Sequence, residues 1–220
     1  MAITLNEIKE SVIIRTMIEQ GNYYLGIKGY TDHGLKHVNL VAALGQHILL
    51  ELGYEKRLAE LAGIAGYMHD IGNAVNRAAH SQSGALLAFQ LLRELGMEPA
   101  EVAVVTAAIG NHDEGTGIPI DAVSAAVIVA DKSHVHYTRV RNKDVATFDI
   151  HDRVNYAVKE SRLDVDASTR VISMRLNIDT DICPVMEYFE IFLSRMLLCR
   201  RAADSLQAQF SLVINEAKLL

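Results

Sequence analysis

The chain has 220 residues, 50% of them hydrophobic, with 14 glycines and 3 prolines, an ordinary globular composition long enough for one large domain or a domain with an appendage. Its formal net charge of −6 argues against a broad, non-specific nucleic-acid surface, and no apolar run reaches the ~20 residues of a membrane span. The N-terminus has no basic segment followed by an apolar core, so no secretory signal is expected and the chain reads as cytoplasmic.

Apolar residues at Leu5, Ile8, Val12 and Ile13 have helical spacing and predict a helix over 4–19. The Gly- and Tyr-rich stretch from Gly21 to Tyr30 reads as a loop. Asp32 is a candidate N-cap for a helix over Leu35–Leu52, closed by Gly53. Further helices are expected over 55–70, 81–95 and 99–111, with Gly96 and Pro99 punctuating the second gap. Asn111 to Pro119 reads as a tight loop, and Asp121–Lys132 as a short buried helix. The pattern changes near Val158. Arg162–Asp166 and Val171–Ile178 alternate apolar and polar residues around Asp166-Ala-Ser-Thr-Arg170, a hairpin signature that places Ile172, Met174, Leu176 and Ile178 on one face. Asp181–Leu206 returns to helical spacing, and Phe210, Leu212 and Ile214 alternate as a last strand. The expected fold is mainly α: a helical domain over 1–158 and a small C-terminal α+β (β-β-α-β) appendage over 159–220. Cys183 and Cys199 fall on one predicted helix, ~24 Å apart and too far for a mutual disulfide. They read as packing residues.

The chemistry concentrates around His69-Asp70, which ends the apolar run Leu58–Met68. Adjacent side chains on a helix diverge by ~100°, so both can reach one point only at the helix end. A buried carboxylate needs a cation or dense hydrogen bonding. Gly72 follows in a C-cap position that turns the chain away. His37 lies on the same helical face as Val41, Leu44 and Ile48, and Asp131 ends the run Ala125–Ala130. Four such groups from three helices can supply a mixed N/O metal site. His80 and His112 fit the same geometry, and the six together can hold two ions with one bridging carboxylate. Each residue has a plainer reading: His37 as a core histidine on a backbone carbonyl, Asp131 pairing with Lys132, His80 as a helix N-terminal residue, and His112 as a C-terminal dipole partner.

The order His37, His69-Asp70, Asp131 resembles the HD superfamily of metal-dependent phosphohydrolases, over roughly residues 30–142. The resemblance implies an HD-domain helical bundle in which His37, His69, Asp70 and Asp131 ligate the metal, with Asp70 bridging if there are two. His80-Ser-Gln-Ser-Gly-Ala85, His112 and Ala130-Asp131-Lys132 look like the bacterial HD-type dinucleoside tetraphosphatases, which carry a dinuclear centre. The turn His112–Pro119 is similar to that of the HD-GYP cyclic-dinucleotide phosphodiesterases but departs from it at Asn111 and Ile118 and in its shorter loop. The Glu-Asp pair of the superfamily's alarmone hydrolases is not evident. Residues 160–220 resemble none of these branches.

A bound divalent metal lowers the pKa of its water and makes a hydroxide nucleophile available at neutral pH. Asp70 and Lys132 are the candidates for a direct catalytic part. Lys132, His134, Arg139 and Arg141 form a basic cluster after Asp131 that suits phosphate contact, the alternative being a solvated helix extension. One or two ions are expected, and iron, manganese, nickel and zinc all suit such ligands. The expected function is hydrolysis of a phosphate ester or anhydride in a small substrate, a nucleotide by preference, in a homo-oligomer. Two other classes stay open: a non-catalytic sensor module, dimerising through its C-terminal part, in which His80 and His112 face solvent; and a metal-free interaction protein in which Lys or Arg satisfies Asp70 and Asp131.

Overall fold

Residues 2–220 are described in the computed structural model of the chain. Thr4 opens α1 (Leu5–Glu10) with a capping box, its hydroxyl accepting from Glu7 N while the Glu7 carboxylate accepts from Thr4 N. Ser11 has extended backbone and divides α1 from α2 (Val12–Ile27). The single helix expected over 4–19 is therefore two, and α2 runs through much of the stretch read as a loop. Gly21 is the physical reason: a Cβ there would lie 2.9 Å from Ala74 N, so this glycine serves close packing inside a helix rather than a turn.

α3 (Leu35–Glu51) starts after Gly34, and Asp32 shapes the preceding turn by accepting from Gly34 N at 3.1 Å; Asp32 does not cap the helix itself. α4 (Lys56–Met68) lies along α3. α5 (His80–Glu94) pairs with α6 (Pro99–Gly110), whose first turn is capped by the Glu98 carboxylate. α7 (Ala122–Lys132) begins with an Asp121–Ser124 capping box and is buried at every position from Val123 to Ala130. A helix apolar all round is a core helix, and each fully buried Val or Ile contributes ~1.5–3 kcal/mol. α8 (Ile150–Ala157) then leads straight into the first strand.

The C-terminal part contains β1 (Val158–Asp166), β2 (Val171–Ile178), α9 (Val185–Ser205), β3 (Gln209–Ile214) and β4 (Ala217–Lys218), in sheet order β1-β2-β3-β4. β1 and β2 form the expected antiparallel hairpin, β2 and β3 pair in parallel across the α9 crossover, and β4 turns back on β3. β4 escaped the sequence reading because it is two residues long; Asn215 and Glu216, both at positive φ (49° and 68°), make its tight turn. α9 packs on α7 and on β3, between bundle and sheet. Cys183 lies before the Pro184 N-cap, not on the helix, and both cysteines are free and buried. The fold is mainly α with a small C-terminal sheet, and one core cluster runs from Leu5 to Ile214. Among the described residues no helix is long and apolar enough to cross a membrane.

Candidate metal centre

His69 sits at the C-cap of α4, and Asp70 opens a 3₁₀ turn over Ile71–Ala74. Gly72 lies inside that turn and does not cap α4. A Cβ on it would meet His80 O at 2.0 Å and Gly84 N at 2.6 Å. Only glycine lets the first turn of α5 rest on this backbone, which carries His80 to Asp70.

Three histidines are oriented by one local device. The Nδ1 of His69 donates to Gly66 O at 2.7 Å, that of His80 to Arg77 O at 3.1 Å, and that of His112 to Ile109 O at 2.7 Å. Each proton is committed to a carbonyl three residues earlier, so each Nε2 is left for the cluster. His37, from α3, turns Nε2 inward while its Nδ1 meets His134 Nδ1 at 2.9 Å.

The inward atoms converge. Nε2 of His37 and His69 are 3.2 Å apart, and those of His80 and His112 are 3.1 Å apart. Asp70 lies between the pairs: Oδ2 is 3.4 Å from His69 and 3.6 Å from His37, and Oδ1 is 3.5 Å from His80. Asp131 Oδ1 approaches His37 at 3.3 Å and His69 at 3.5 Å, while its Oδ2 accepts from Lys132 Nζ at 2.7 Å. Three sets of three ligand atoms lie within 4.8 Å of one another: His37-His69-Asp70, His69-His112-Asp131 and Asp70-His80-His112. Asp70 Oδ2 is buried and accepts no hydrogen bond. His80 and His112 already donate from Nδ1, so their facing Nε2 lone pairs repel unless something positive stands near; Arg77 Nη1, 3.3 Å from His80 Nε2, serves only one of them. This donor set fits a divalent cation.

The charges agree. Burial would lower His69, but the carboxylates of Asp70 and Asp131 outweigh it and raise its pKa to about 10. Burial lowers His37 to about 4 and pushes His112 well down. Burial would raise Asp70 and Asp131, yet the imidazoles, and for Asp131 above all the Lys132 ammonium, hold both well below the ordinary carboxylate range.

The structure thus brings His37, His69, Asp70, His80, His112 and Asp131 together, with His80 and His112 buried rather than in solvent. The four basic candidates fare differently. Lys132 is buried and held by Asp131 and by Glu114 Oε2, each at 2.7 Å. His134 stands behind His37, and burial lowers it to about 2. Arg139 is buried over the cluster, with Nε on Asp32 O and Nη1 on His134 O. Arg141 is drawn to α2, donating to Asn22 and lying 3.6 Å from Asp32, so it is not brought to the cluster.

Sequence reasoning missed Arg77, Glu114, Arg195 and His33. Arg77 stands 3.8 Å from Asp70 Oδ1, and the His33 ring lies edge-on to His37. With Asp70, His80, His112 and Asp131, the side chains of Arg77, Arg195 and His33 border a small recess. Arg77, Arg139, Arg195 and His33 continue from it into a cavity of about 470 Å³, which Tyr30 and Phe192 also line. No spacing rule would have found Glu114 or Arg195, whose partners lie in other elements.

The model of the HD domain family matches residues 34–153. Ribonuclease Y of Oceanobacillus iheyensis is 36% identical over 100 residues, covering 44% of this chain and 18% of that protein; the chain spans less than a fifth of that relative's length. The crystal structure of a predicted HD superfamily hydrolase from an uncultured Thermotogales bacterium aligns at a TM-score of 0.45 and 22% identity, over 61% of this chain and 75% of the other.

Proposed function

The chain belongs to the HD domain family, and from that premise we propose that it is a metal-dependent phosphohydrolase acting on a small phosphorylated substrate, a nucleotide in our reading. One observation carries this: the lone pairs of His80 and His112 face each other at 3.1 Å, while across Asp70 its Oδ2, turned to His37 and His69, is buried with no hydrogen bond. The chemistry that a divalent cation would supply there is Lewis acidity toward phosphoryl oxygens and acidification of water.

The chain's own residues do the rest. His37, His69, Asp70, His80, His112 and Asp131 would hold one or two ions, Asp70 serving both halves because each of its oxygens faces a different histidine pair. Lys132 pins Asp131 through one oxygen, leaving the other for the cluster. Arg77 and Arg139 place positive charge beside the recess, where phosphoryl oxygens would lie. Residues 1–158 would form the catalytic unit, with 159–220 walling the cavity through Phe192 and Arg195. The burial of His80 and His112 favours catalysis over the sensor reading.

Similarity to Ribonuclease Y raises RNA as a second substrate class. The net charge of −6 and the recessed cluster favour a small molecule. The test is elemental analysis of the purified protein, then a screen of phosphorylated metabolites, dinucleoside polyphosphates and a short RNA. Bound transition metal and turnover of a small phosphorylated compound are expected. A metal-free protein inactive in the screen after metal addition overturns the proposal.

A further inference from the structure

Arg195 stands on α9, outside the stretch that matches the family, yet its side chain reaches back to the site. Its Nε donates to Glu114 Oε1 at 2.9 Å, and its guanidinium carbon lies 4.5 Å from the centre of the Phe192 ring. Glu114 in turn holds Lys132, which holds Asp131. Only Nε is so engaged: among the described residues both terminal nitrogens of Arg195 make no hydrogen bond, on a side chain that lines the cavity.

Arg139 gives an independent sign. It is 5% exposed, its Nε and Nη1 are taken by backbone carbonyls, and Nη2 is buried with no partner while the residue lines both recess and cavity. A buried guanidinium nitrogen without an acceptor is costly, and an anion in the cavity would satisfy it. The cavity's charge has the matching sign. Lys28, Arg77, Arg139 and Arg195 line it against the carboxylates of Glu114 and Asp149, on a chain whose net charge is −6. Glu114 is itself neutralised by Lys132 and Arg195.

We infer that Arg195 and Arg139 together anchor an anionic group of the substrate in this cavity, so that the C-terminal part supplies a binding group the family-matched stretch lacks. The inference rests on the phosphohydrolase reading for identifying that anion as a phosphoryl group. The planar fork of a guanidinium suits phosphoryl oxygens, and the Arg195 guanidinium lies over the Phe192 ring.

The competing role for Arg195 is a brace for Glu114, and the test separates the two. Inorganic phosphate is titrated calorimetrically into the purified full chain with its metal, as wild type, Arg195→Gln, Glu114→Gln and Arg200→Gln, the last removing an exposed charge from the same helix. Anchoring predicts a Kd at least fivefold weaker for Arg195→Gln, unchanged or tighter for Glu114→Gln, and within twofold for Arg200→Gln, with equal metal content in Arg195→Gln and Arg200→Gln. A smaller loss in Arg195→Gln, equal weakening in Glu114→Gln, a comparable loss in Arg200→Gln, or no phosphate binding by wild type overturns the inference. If Arg195→Gln does not fold, Arg195→Lys replaces it, and the same fivefold threshold applies to loss of the fork alone. The two readings fail separately. Phosphate binding that depends on Arg195 in a protein hydrolysing nothing sinks only the phosphohydrolase reading, and turnover with an indifferent Arg195→Gln sinks only the anchor.

Discussion

Asp70 Oδ1 and His80 Nε2 lie 3.5 Å apart although one follows α4 and the other opens α5. The approach depends on Gly72, where a Cβ would stand 2.0 Å from the His80 carbonyl oxygen. Backbone on both sides of the clash leaves no flexible side chain to yield. Gly72→Ala should therefore destabilise the protein by at least ~2 kcal/mol in chemical denaturation and lower its metal content. A variant as stable and as metal-rich as wild type would refute this account of the glycine.

Asp70 offers one oxygen to each histidine pair, whereas His80 touches one side only. Asp70→Ala and His69→Ala should abolish bound metal and any phosphatase activity. His80→Ala should lose part of the metal and at least ~10²-fold of activity. Elemental analysis of the three purified variants checks this, and full metal retention in Asp70→Ala or His69→Ala would count decisively against the proposed centre.

Metal binding should be linked to pH through His69. The two carboxylates raise its pKa to about 10 in the metal-free chain, so from pH 6.5 to 9 it carries a proton that a cation must displace. Affinity should rise with pH, by about tenfold per unit for one proton released. The sign follows because the raised group favours the metal-free form at low pH. Competition titrations against a chelator at three pH values measure the slope, and a flat profile would mean that His69 is not displaced.

Arg139 has one unpartnered nitrogen beside the recess. Arg139→Gln should raise KM by about tenfold or more, the scale of a lost charged hydrogen bond, with metal content unchanged. Steady-state kinetics on the substrate found in the screen would decide it. An unchanged KM would remove Arg139 from substrate contact.

The legible parts of the sequence were those governed by a helix's own period. His37 shares a face with Val41 and Ile48, and His69 and Asp131 end apolar runs, so their inward placement follows from local geometry. Alternation around Asp166–Arg170 likewise gave the hairpin. Glu114 and Arg195 were invisible because a loop residue and a distant helix residue meet only after α9 docks on α7. Gly21 misled for a related reason. Its composition suggested a turn, and only the backbone of Asn73 and Ala74 pressed against it explains a glycine inside α2. Arg141 shows the opposite error: closeness to Asp131 in sequence was taken for closeness in space, and Asn22 holds it instead.

His69, His80 and His112 each take their bearing from a carbonyl in their own turn, not from one another. Their aim is thus settled as the backbone folds, ahead of any ion. An arriving cation finds a socket already cut to shape, and loading should proceed without a slow rearrangement of the chain. Circular dichroism of stripped and reloaded protein should superimpose.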